Sequence, residues 1–326
     1  MRVLIAGLGS IGRRHLGNLR KVDSTAVPVV WRMRPGATDS PDDCQVVRSL
    51  AAALATRPDV ALVTCPASLH VGVATDLALA GVHLLVEKPV SHHSDSVPEL
   101  IEICRRDRVV LMVGYNFRFY PPLRALRDAL LEGRIGRLLS LRAEVGQYLP
   151  DWRPSRDYRE STTARRDLGG GALLELSHEF DYIRWLAGEV TQVSAQVAKL
   201  SDLDIDVEDT VEMVCRFASG AVGSVHLDLT QRPGTRTCRL AGTNGALTWD
   251  RANHQVLLIR PDGAIETIYP GAPQPMVDMY QEELRHFLGA VRTNTAPLVT
   301  GDDGLRALLI AEAAARSSRE GRTVTI

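Results

Sequence analysis

Lys88 and His178 are the residues whose types and positions best fit acid–base chemistry. Lys88 lies in Glu87-Lys88-Pro89, where the proline ends a predicted strand and holds the lysine at the edge where open α/β sheets bind ligands. His178 follows the run Gly169-Gly170-Gly171. A lysine can donate to a hydroxyl and stabilise an alkoxide, and a histidine exchanges protons near neutral pH. The alternatives are a surface lysine beside a proline turn and a histidine that only packs.

Glu175 is the candidate for orienting His178. The two residues are three apart in a helix predicted over 173–186, so they share a face, and a nearby carboxylate can fix the tautomer of an imidazole. The same spacing recurs in Glu283-Leu284-Arg285-His286. Two such helices could hold a metal in a helical bundle, but the chain between them is rich in predicted strands. The sequence therefore predicts no metal site.

A glycine loop opens the chain. Gly7-Leu8-Gly9-Ser10-Ile11-Gly12 directly follows a predicted strand and begins a helix. The first glycine allows a tight turn, the second lets the backbone approach a pyrophosphate, and the third allows close packing of helix on strand. In this context the motif predicts a dinucleotide site, and a glycine turn that binds nothing is the alternative.

The end of the second predicted strand indicates which dinucleotide binds. An acid at this point holds the ribose hydroxyls of NAD, whereas this sequence has Arg32 and Arg34. Because an arginine can clamp a 2′-phosphate, NADP(H) is favoured, with NAD(H) possible. The alternative is that Arg32 stacks on the adenine or is solvated.

The elements around these motifs predict two α/β domains. Strands are expected over 2–6, 27–31, 59–64, 83–86 and 109–113, alternating with helices near 10–21, 68–80 and 94–106. This alternation predicts a doubly wound parallel sheet over 1–120. Beyond it, apolar residues alternate with polar ones, as in Val211, Met213, Cys215 and Phe217 against Glu212 and Arg216. We expect a mostly antiparallel sheet in a second domain, 121–326, with helices near 173–186, 277–292 and 302–316.

Composition excludes several classes of protein. The 326 residues carry 38 Lys and Arg against 39 Asp and Glu, so bulk charge gives no reason to expect a nucleic-acid partner. No apolar stretch reaches the length of a membrane span. The five cysteines are scattered and show no CxxC spacing, which argues against a disulfide framework and indicates a reducing, cytoplasmic location.

Taken in order, these motifs resemble the glucose-fructose oxidoreductase, inositol dehydrogenase and rhizopine catabolism family (Gfo/Idh/MocA). The glycine loop continues into Arg14-His15, and the later matches are Pro66-Ala67-Ser68-Leu69-His70, Glu87-Lys88-Pro89, Tyr115-Asn116-Phe117-Arg118-Phe119 and the glycine run before His178. The resemblance implies an NAD(P)-dependent enzyme that transfers a hydride at a hydroxyl or ketone carbon of a sugar, sugar acid, nucleotide sugar or cyclitol. It also implies a homo-oligomer, a dimer or tetramer.

The resemblance assigns roles to individual residues. Lys88 and His178 are then catalytic, with His178 as the acid/base and Glu175 beside it, although the family commonly has Asp at position 175. The expected cofactor-binding residues are Gly7, Gly9, Ser10, Ile11, Gly12, Arg32, Arg34, Pro66, Ser68, His70, Glu87, Lys88 and Asn116. The expected substrate-binding residues are Lys88, Arg118, Arg153, Arg165 and His178.

The loop before the catalytic segment bears on the substrate. Arginines are dense over 151–167, and if some face the substrate they predict a carboxylate or phosphate on it; a solvated loop is the alternative. The run Trp152-Arg153-Pro154-Ser155-Arg156-Asp157-Tyr158 is similar to family members of nonulosonic-acid or other surface-sugar pathways. Two other functions stay open: a glycosidase that oxidises its substrate transiently, and a non-catalytic regulator that senses a sugar or dinucleotide.

Overall fold

A six-stranded parallel sheet forms the centre of the first unit of the chain. Its strands are β1 (Arg2–Ala6), β2 (Val27–Trp31), β3 (Gln45–Val47), β4 (Val60–Val63), β5 (His83–Val86) and β6 (Leu111–Val113). Their order is β3-β2-β1-β4-β5-β6, and every neighbouring pair is parallel. Residues 3–6 and 60–63 are fully buried, as strands covered on both faces should be. The predicted doubly wound sheet is confirmed.

Helices alternate with these strands, as the sequence predicts. They are α1 (Ser10–Val22), α2 (Leu50–Ala55), α3 (His70–Leu79) and α4 (Val97–Arg106). A single turn of 3-10 helix, Ala67–Leu69, precedes α3 and accounts for the start expected at residue 68. The edge strand β3 was not predicted, because its three residues are too short to show a pattern and only Val47 among them is buried.

The second unit is built on a nine-stranded sheet. Its strands are β7 (Leu138–Gly146), β8 (Val190–Ala198), β9 (Thr210–Phe217), β10 (Val222–Asp228), β11 (Thr235–Gly242), β12 (Gly245–Asp250), β13 (Gln255–Ile259), β14 (Ile265–Pro270) and β15 (Val324–Thr325). Their order is β14-β13-β12-β11-β7-β10-β9-β8-β15. The pair β7–β10 is parallel and the other neighbouring pairs are antiparallel, so the mostly antiparallel sheet is confirmed.

One face of this second sheet is covered and the other is open. Val211, Met213, Cys215 and Phe217 are at most 2% exposed, whereas Val214 between them is 54% exposed. The covering helices are α5 (Pro121–Leu131), α6 (Ala172–Glu175) and α7 (His178–Ala187). The alternation in the sequence therefore marks the covered face correctly.

The helix expected over 173–186 is wrong in one respect: it is two helices, α6 and α7. Leu176 (φ −97°, ψ 23°) leaves the helical conformation and Ser177 becomes the N-cap of α7. The backbone N–H of Glu179 then donates to the carbonyl of Leu176, three residues back rather than four. His178 consequently occupies the first position of a new helix.

The chain returns to the first unit near its end. The structure describes residues 1–33, 41, 44–271 and 278–326, and these pack into two units, Met1–Asn116 with Asp278–Leu305 and Phe117–Val277 with Arg306–Ile326. Helix α8 (Met279–Thr293) packs along α1, and α9 (Gly301–Glu320) follows it. The division expected from the sequence, 1–120 and 121–326, assigned this return to the second domain. Among the described residues, no helix has the length and apolarity that a bilayer span requires.

Candidate active site

The glycine loop has the geometry expected for a pyrophosphate site. Gly7 has φ +103°, and a Cβ there would lie 2.8 Å from the backbone nitrogen of Cys65. A Cβ on Gly12 would overlap the carbonyl oxygen of Gly7, so this glycine lets α1 approach β1 closely. Gly9 is exposed, with open space where a side chain would be, and Ser10 and Ile11 begin the helix beside it. The loop therefore offers exposed backbone and a helix N-terminus to an anion.

Glu87 and Lys88 lie directly after β5, at the carboxyl end of the sheet. Glu87 is 7% exposed, and its Oε1 is 2.6 Å from Nε2 of His15 in α1. Its Oε2 accepts a weaker hydrogen bond, 3.3 Å long, from the backbone N–H of Lys88. Lys88 itself is half-buried. The sheet edge thus presents a fixed carboxylate and a lysine next to each other in sequence.

His70 connects two loops of this edge. It is 1% exposed, with Nδ1 2.8 Å from the carbonyl oxygen of Pro89 and Nε2 2.8 Å from that of Cys65. Burial lowers the pKa of His70, and the two carbonyl acceptors oppose this shift. Pro66 and Ser68, half-buried, lie in the loop that His70 joins to the segment after Lys88. Its own contacts are structural, and its predicted cofactor contact stays a prediction.

Three further residues were expected to bind the cofactor, and the structure describes two of them. Arg32 follows β2 and its Nη1 donates to the carbonyl of Leu8 in the glycine loop over 3.4 Å. Arg34 lies outside the described residues. Asn116 is 2% exposed and begins the turn that follows β6. The structure therefore brings Arg32 to the glycine loop.

His178 is buried among side chains of the second unit that come from distant parts of the sequence. It is 8% exposed, and its ring meets that of Phe117 edge-on with 4.9 Å between centroids. The guanidinium of Arg236 on β11 stacks on the same phenylalanine, 4.6 Å from the ring centre. A rigid aromatic neighbour on one side restricts the orientations that the imidazole can adopt.

The half-buried Arg236 and the buried Glu179 form an ion pair beside this histidine, and neither residue was expected at the site. Nε of Arg236 donates to Oε1 of Glu179 over 2.8 Å, and Nη2 donates to Oε2 over 3.1 Å. Glu179 has no exposed surface. The sequence does not single out Glu179, because α7 also contains Asp181 and Arg184, and the partner of Glu179 lies 57 residues away.

Glu175 does not share a helix face with His178, because the helix breaks between them. Its Oε2 accepts a hydrogen bond from the Thr163 hydroxyl over 3.0 Å. Glu175 thus attaches α6 to the preceding loop. The shared helix face on which its orienting role was based is absent, and the orienting role itself stays a prediction.

Arginines expected to contact substrate are largely engaged by acids of their own unit. Arg118 is buried and donates to Asp181 from Nε (3.0 Å) and Nη2 (2.6 Å). Arg165 is exposed and its guanidinium binds Asp167, as Arg159 binds Asp157. Arg153 lies exposed in the same loop. Substrate binding by Arg118, Arg153 and Arg165 stays a prediction.

Comparison with known families decides the class of the protein. Residues 1–115 match the oxidoreductase family with an NAD-binding Rossmann fold, and residues 123–248 match the GFO/IDH/MocA C-terminal domain. The chain belongs to the GFO/IDH/MocA oxidoreductase family. The expected dinucleotide, as NAD(H), and the expected class of enzyme are confirmed.

Individual members of the family match over their full length. Myo-inositol 2-dehydrogenase of Thermotoga maritima is 29% identical, with 100% of this chain and 98% of that protein covered. The WlbA dehydrogenase from Chromobacterium violaceum, solved with NADH and UDP-GlcNAcA, is 25% identical with a TM-score of 0.85, covering 100% and 96% of the chains. A levoglucosan dehydrogenase solved with NADH has the same fold, with a TM-score of 0.87, 21% identity and coverage of 100% and 99%.

Proposed function

We propose that the protein is an NAD(P)-dependent dehydrogenase that acts at a hydroxyl- or ketone-bearing carbon of a sugar, sugar acid, nucleotide sugar or cyclitol. The full-length likeness to myo-inositol 2-dehydrogenase carries this proposal. The glycine loop supports it, because its turn and close helix packing fit a pyrophosphate. When bound, the nicotinamide accepts or supplies the hydride.

The chain's own part in such a reaction is to move a proton and to stabilise charge. A base must take the hydroxyl proton as the hydride leaves, and we assign this role to His178, whose ring is packed edge-on against Phe117. Lys88 is assigned to the developing alkoxide, because it directly follows Glu87 at the carboxyl end of β5 and a lysine ammonium can stabilise such a charge. Each assignment rests on the surroundings of that residue within its own unit.

NADP(H) is the proposed preference over NAD(H). The residue directly after β2 is Arg32 rather than an acid, and its guanidinium donates to the carbonyl of Leu8 in the glycine loop. A guanidinium at this point can bind a 2′-phosphate. The two solved structures cited above contain NADH, so the preference for NADP(H) is a feature proposed for this chain.

An anionic substrate is the proposed refinement of the substrate class. The relative from Chromobacterium violaceum was solved with UDP-GlcNAcA, whose diphosphate is anionic. In this chain Arg159 and Arg165 are paired with acids of the loop, which leaves the exposed Arg153 and Arg156 as the candidates to meet such a group. Neutral sugars that turn over as fast as their acidic analogues would contradict this refinement.

The proposal also includes two general properties. The protein forms a homo-oligomer, and it is located in the cytoplasm. The open face of the second sheet exposes Val214 and Val222, which are neighbours across β9 and β10. All five cysteines are free thiols, as expected for a reducing compartment. Light scattering of the purified protein tests the assembly, and a monomer at micromolar concentration would contradict it.

A substrate screen with both cofactors tests the dehydrogenase itself. Sugars, sugar acids, nucleotide sugars and cyclitols are each supplied with NAD+ and NADP+, and reduced nicotinamide is followed by absorbance. Net reduction with one class identifies the substrate. Product release without net reduction would indicate the glycosidase, and binding without any turnover would indicate a regulator.

A further inference from the structure

Three buried side chains of the first unit form a cluster that the proposed chemistry does not use in full. They are His15 on α1, Glu87 after β5 and Glu283 on α8. One nitrogen or oxygen from each lies within 4.8 Å of the others. His15 and Glu283 have no exposed surface and Glu87 is 7% exposed. Two carboxyl groups therefore share one buried site.

Glu87 is the member of the cluster suited to carry negative charge. Its two oxygens face donors, Nε2 of His15 at 2.6 Å and the backbone N–H of Lys88 at 3.3 Å. Nδ1 of His15 meets no hydrogen-bond partner in the described part of the chain. A cationic His15 would leave a buried N–H unsatisfied there, whereas a neutral ring leaves only a lone pair. The geometry favours a neutral histidine that donates to Glu87.

Glu283, unlike Glu87, is poorly suited to carry a negative charge. Neither of its carboxyl oxygens has a hydrogen-bond partner among the residues that the structure describes. A buried carboxylate without donors is strongly disfavoured, and a second negative charge nearby disfavours it further. Both effects, burial first and Glu87 second, raise the pKa of Glu283 well above its usual value.

In the described part of the chain, the other groups near Glu283 do not place a positive charge against its carboxyl group. Tyr280, one turn earlier on α8, is an uncharged phenol whose pKa burial raises further. The guanidinium of Arg14 on α1 stacks on the ring of this tyrosine, 4.6 Å from its centre, and is itself exposed. On the third side the facing group is Glu87, an acid.

We propose that Glu283 is a positioning residue of the dinucleotide site, an uncharged carboxylic acid that leaves Glu87 as the one anion of the cluster, fixed by His15. The inference rests on the proposed function and on the expectation, implied by the family resemblance, that Glu87 is a cofactor-binding residue. An ionised Glu283 would place a second negative charge beside Glu87 and oppose the binding of an anionic dinucleotide.

A metal ion is the competing occupant, because one imidazole and two carboxylates also form a donor set. The distances favour the proton. Nε2 of His15 and Oε1 of Glu87 are 2.6 Å apart, a hydrogen-bond separation. Two ligands of a tetrahedral metal, each roughly 2.1 Å from the ion, would stand about 3.4 Å apart.

Glu283→Gln in the full chain tests the charge of Glu283, with Glu282→Gln as the matched control from the exposed side of the same helix. An acid with a raised folded-state pKa contributes less stability as pH rises from its unfolded value towards its folded one. The melting temperature of the parent should therefore fall relative to Glu283→Gln as pH is raised from 5 to 9. Glu282→Gln should follow the parent throughout.

Dinucleotide titration over the same pH range gives the functional readout. Glu283→Gln should bind NAD(H) or NADP(H) within about threefold of the parent at pH 6 to 7, and should lose less affinity than the parent at higher pH. A more than tenfold loss of affinity at neutral pH would show that Glu283 acts as an anion and would overturn the proposal. A pH profile identical to that of the parent in both measurements would also overturn it.

The remaining outcomes separate this inference from the proposed function. If Mn2+ or Zn2+ raises the melting temperature of the parent but not of Glu283→Gln, and EDTA reverses the rise, the cluster is a metal site and the proposal is wrong. If the parent binds neither dinucleotide, the proposed function fails. The melting comparison still reports the charge of Glu283 in that case.

Discussion

The glycine loop of the first unit and the His178 segment of the second both have to place a few atoms accurately, and they do so by different means. In the loop, six consecutive residues contain most of the determinants, and the close contacts of Gly12 are with Gly7 and the β4 end. Around His178, the determinants are Phe117, Glu179 and Arg236, from three different elements. The first geometry is local in sequence, and the second is created by the fold.

The largest effects should come from one residue of each unit. His178→Asn and Lys88→Met should each lower kcat by roughly 10²–10⁴-fold, the usual contribution of a general acid or base. Steady-state kinetics and cofactor titration measure this, and dinucleotide affinity should change little for His178→Asn and modestly for Lys88→Met. Lys199→Met is the matched control, an exposed lysine whose Nζ donates to the carbonyl of Ser201. A folded His178→Asn enzyme within a few-fold of the parent would move the base to another residue.

The contrast between the two regions also explains how much the sequence could reveal. The parallel sheet, the turn at Gly7, the close packing at Gly12 and the covered face of the second sheet all follow from short-range patterns, and each is found in the structure. These patterns are visible because strand and helix periodicities act within about ten residues.

Features that depend on distant partners were not predictable in the same way. The break at Leu176 removes the shared helix face of Glu175 and His178, and the Glu175 carboxylate accepts a hydrogen bond from Thr163 in the preceding loop. The return of α8 to the first unit, with Arg292 bound to Asp23, pairs residues 269 apart. Neither periodicity nor spacing contains that information, because tertiary packing decides which partner a charged side chain finds.

Breaking the long-range support of the His178 segment should have the next largest effect. Glu179→Gln should lower the free energy of unfolding by about 1.5–3 kcal/mol, because the half-buried Arg236 loses its charge-assisted hydrogen bonds to the buried carboxylate. Urea denaturation measures this. Asp167→Asn, which removes an exposed partner of Arg165, should leave the midpoint unchanged.

A double replacement tests the same ion pair without leaving either charge unpaired. Glu179→Met combined with Arg236→Met removes both charges and should be closer to the parent than either single variant is. If Glu179→Gln unfolds at the parental urea concentration, the ion pair does not support this segment and the contrast with the glycine loop is lost.

Two glycines of α1 test whether the glycine loop requires close packing of the helix on the strand. Gly12→Ala should cost about 1–3 kcal/mol in stability, because its Cβ would overlap the Gly7 carbonyl, and should weaken dinucleotide binding as α1 shifts. Gly17→Ala lies in the same helix with nothing within 4 Å of its Cβ, and should gain about 0.5–1 kcal/mol. Thermal unfolding and cofactor titration of both variants measure the difference. Equal behaviour of the two would show that close packing at Gly12 is not required.

The smallest expected effect concerns the choice between NADP(H) and NAD(H). Among the described residues at the end of β2, Arg32 is the arginine proposed to set this choice. Arg32→Ala should weaken NADP(H) binding by roughly tenfold and NAD(H) binding by less, because one charge-assisted hydrogen bond to the 2′-phosphate is worth about 1.5–3 kcal/mol. Titration calorimetry with both cofactors measures the ratio, and Lys21→Ala, exposed in the last turn of α1, is the control. An unchanged ratio of dissociation constants would mean that Arg32 serves the glycine loop alone, through its bond to Leu8. Selectivity would then depend on residues further along the chain.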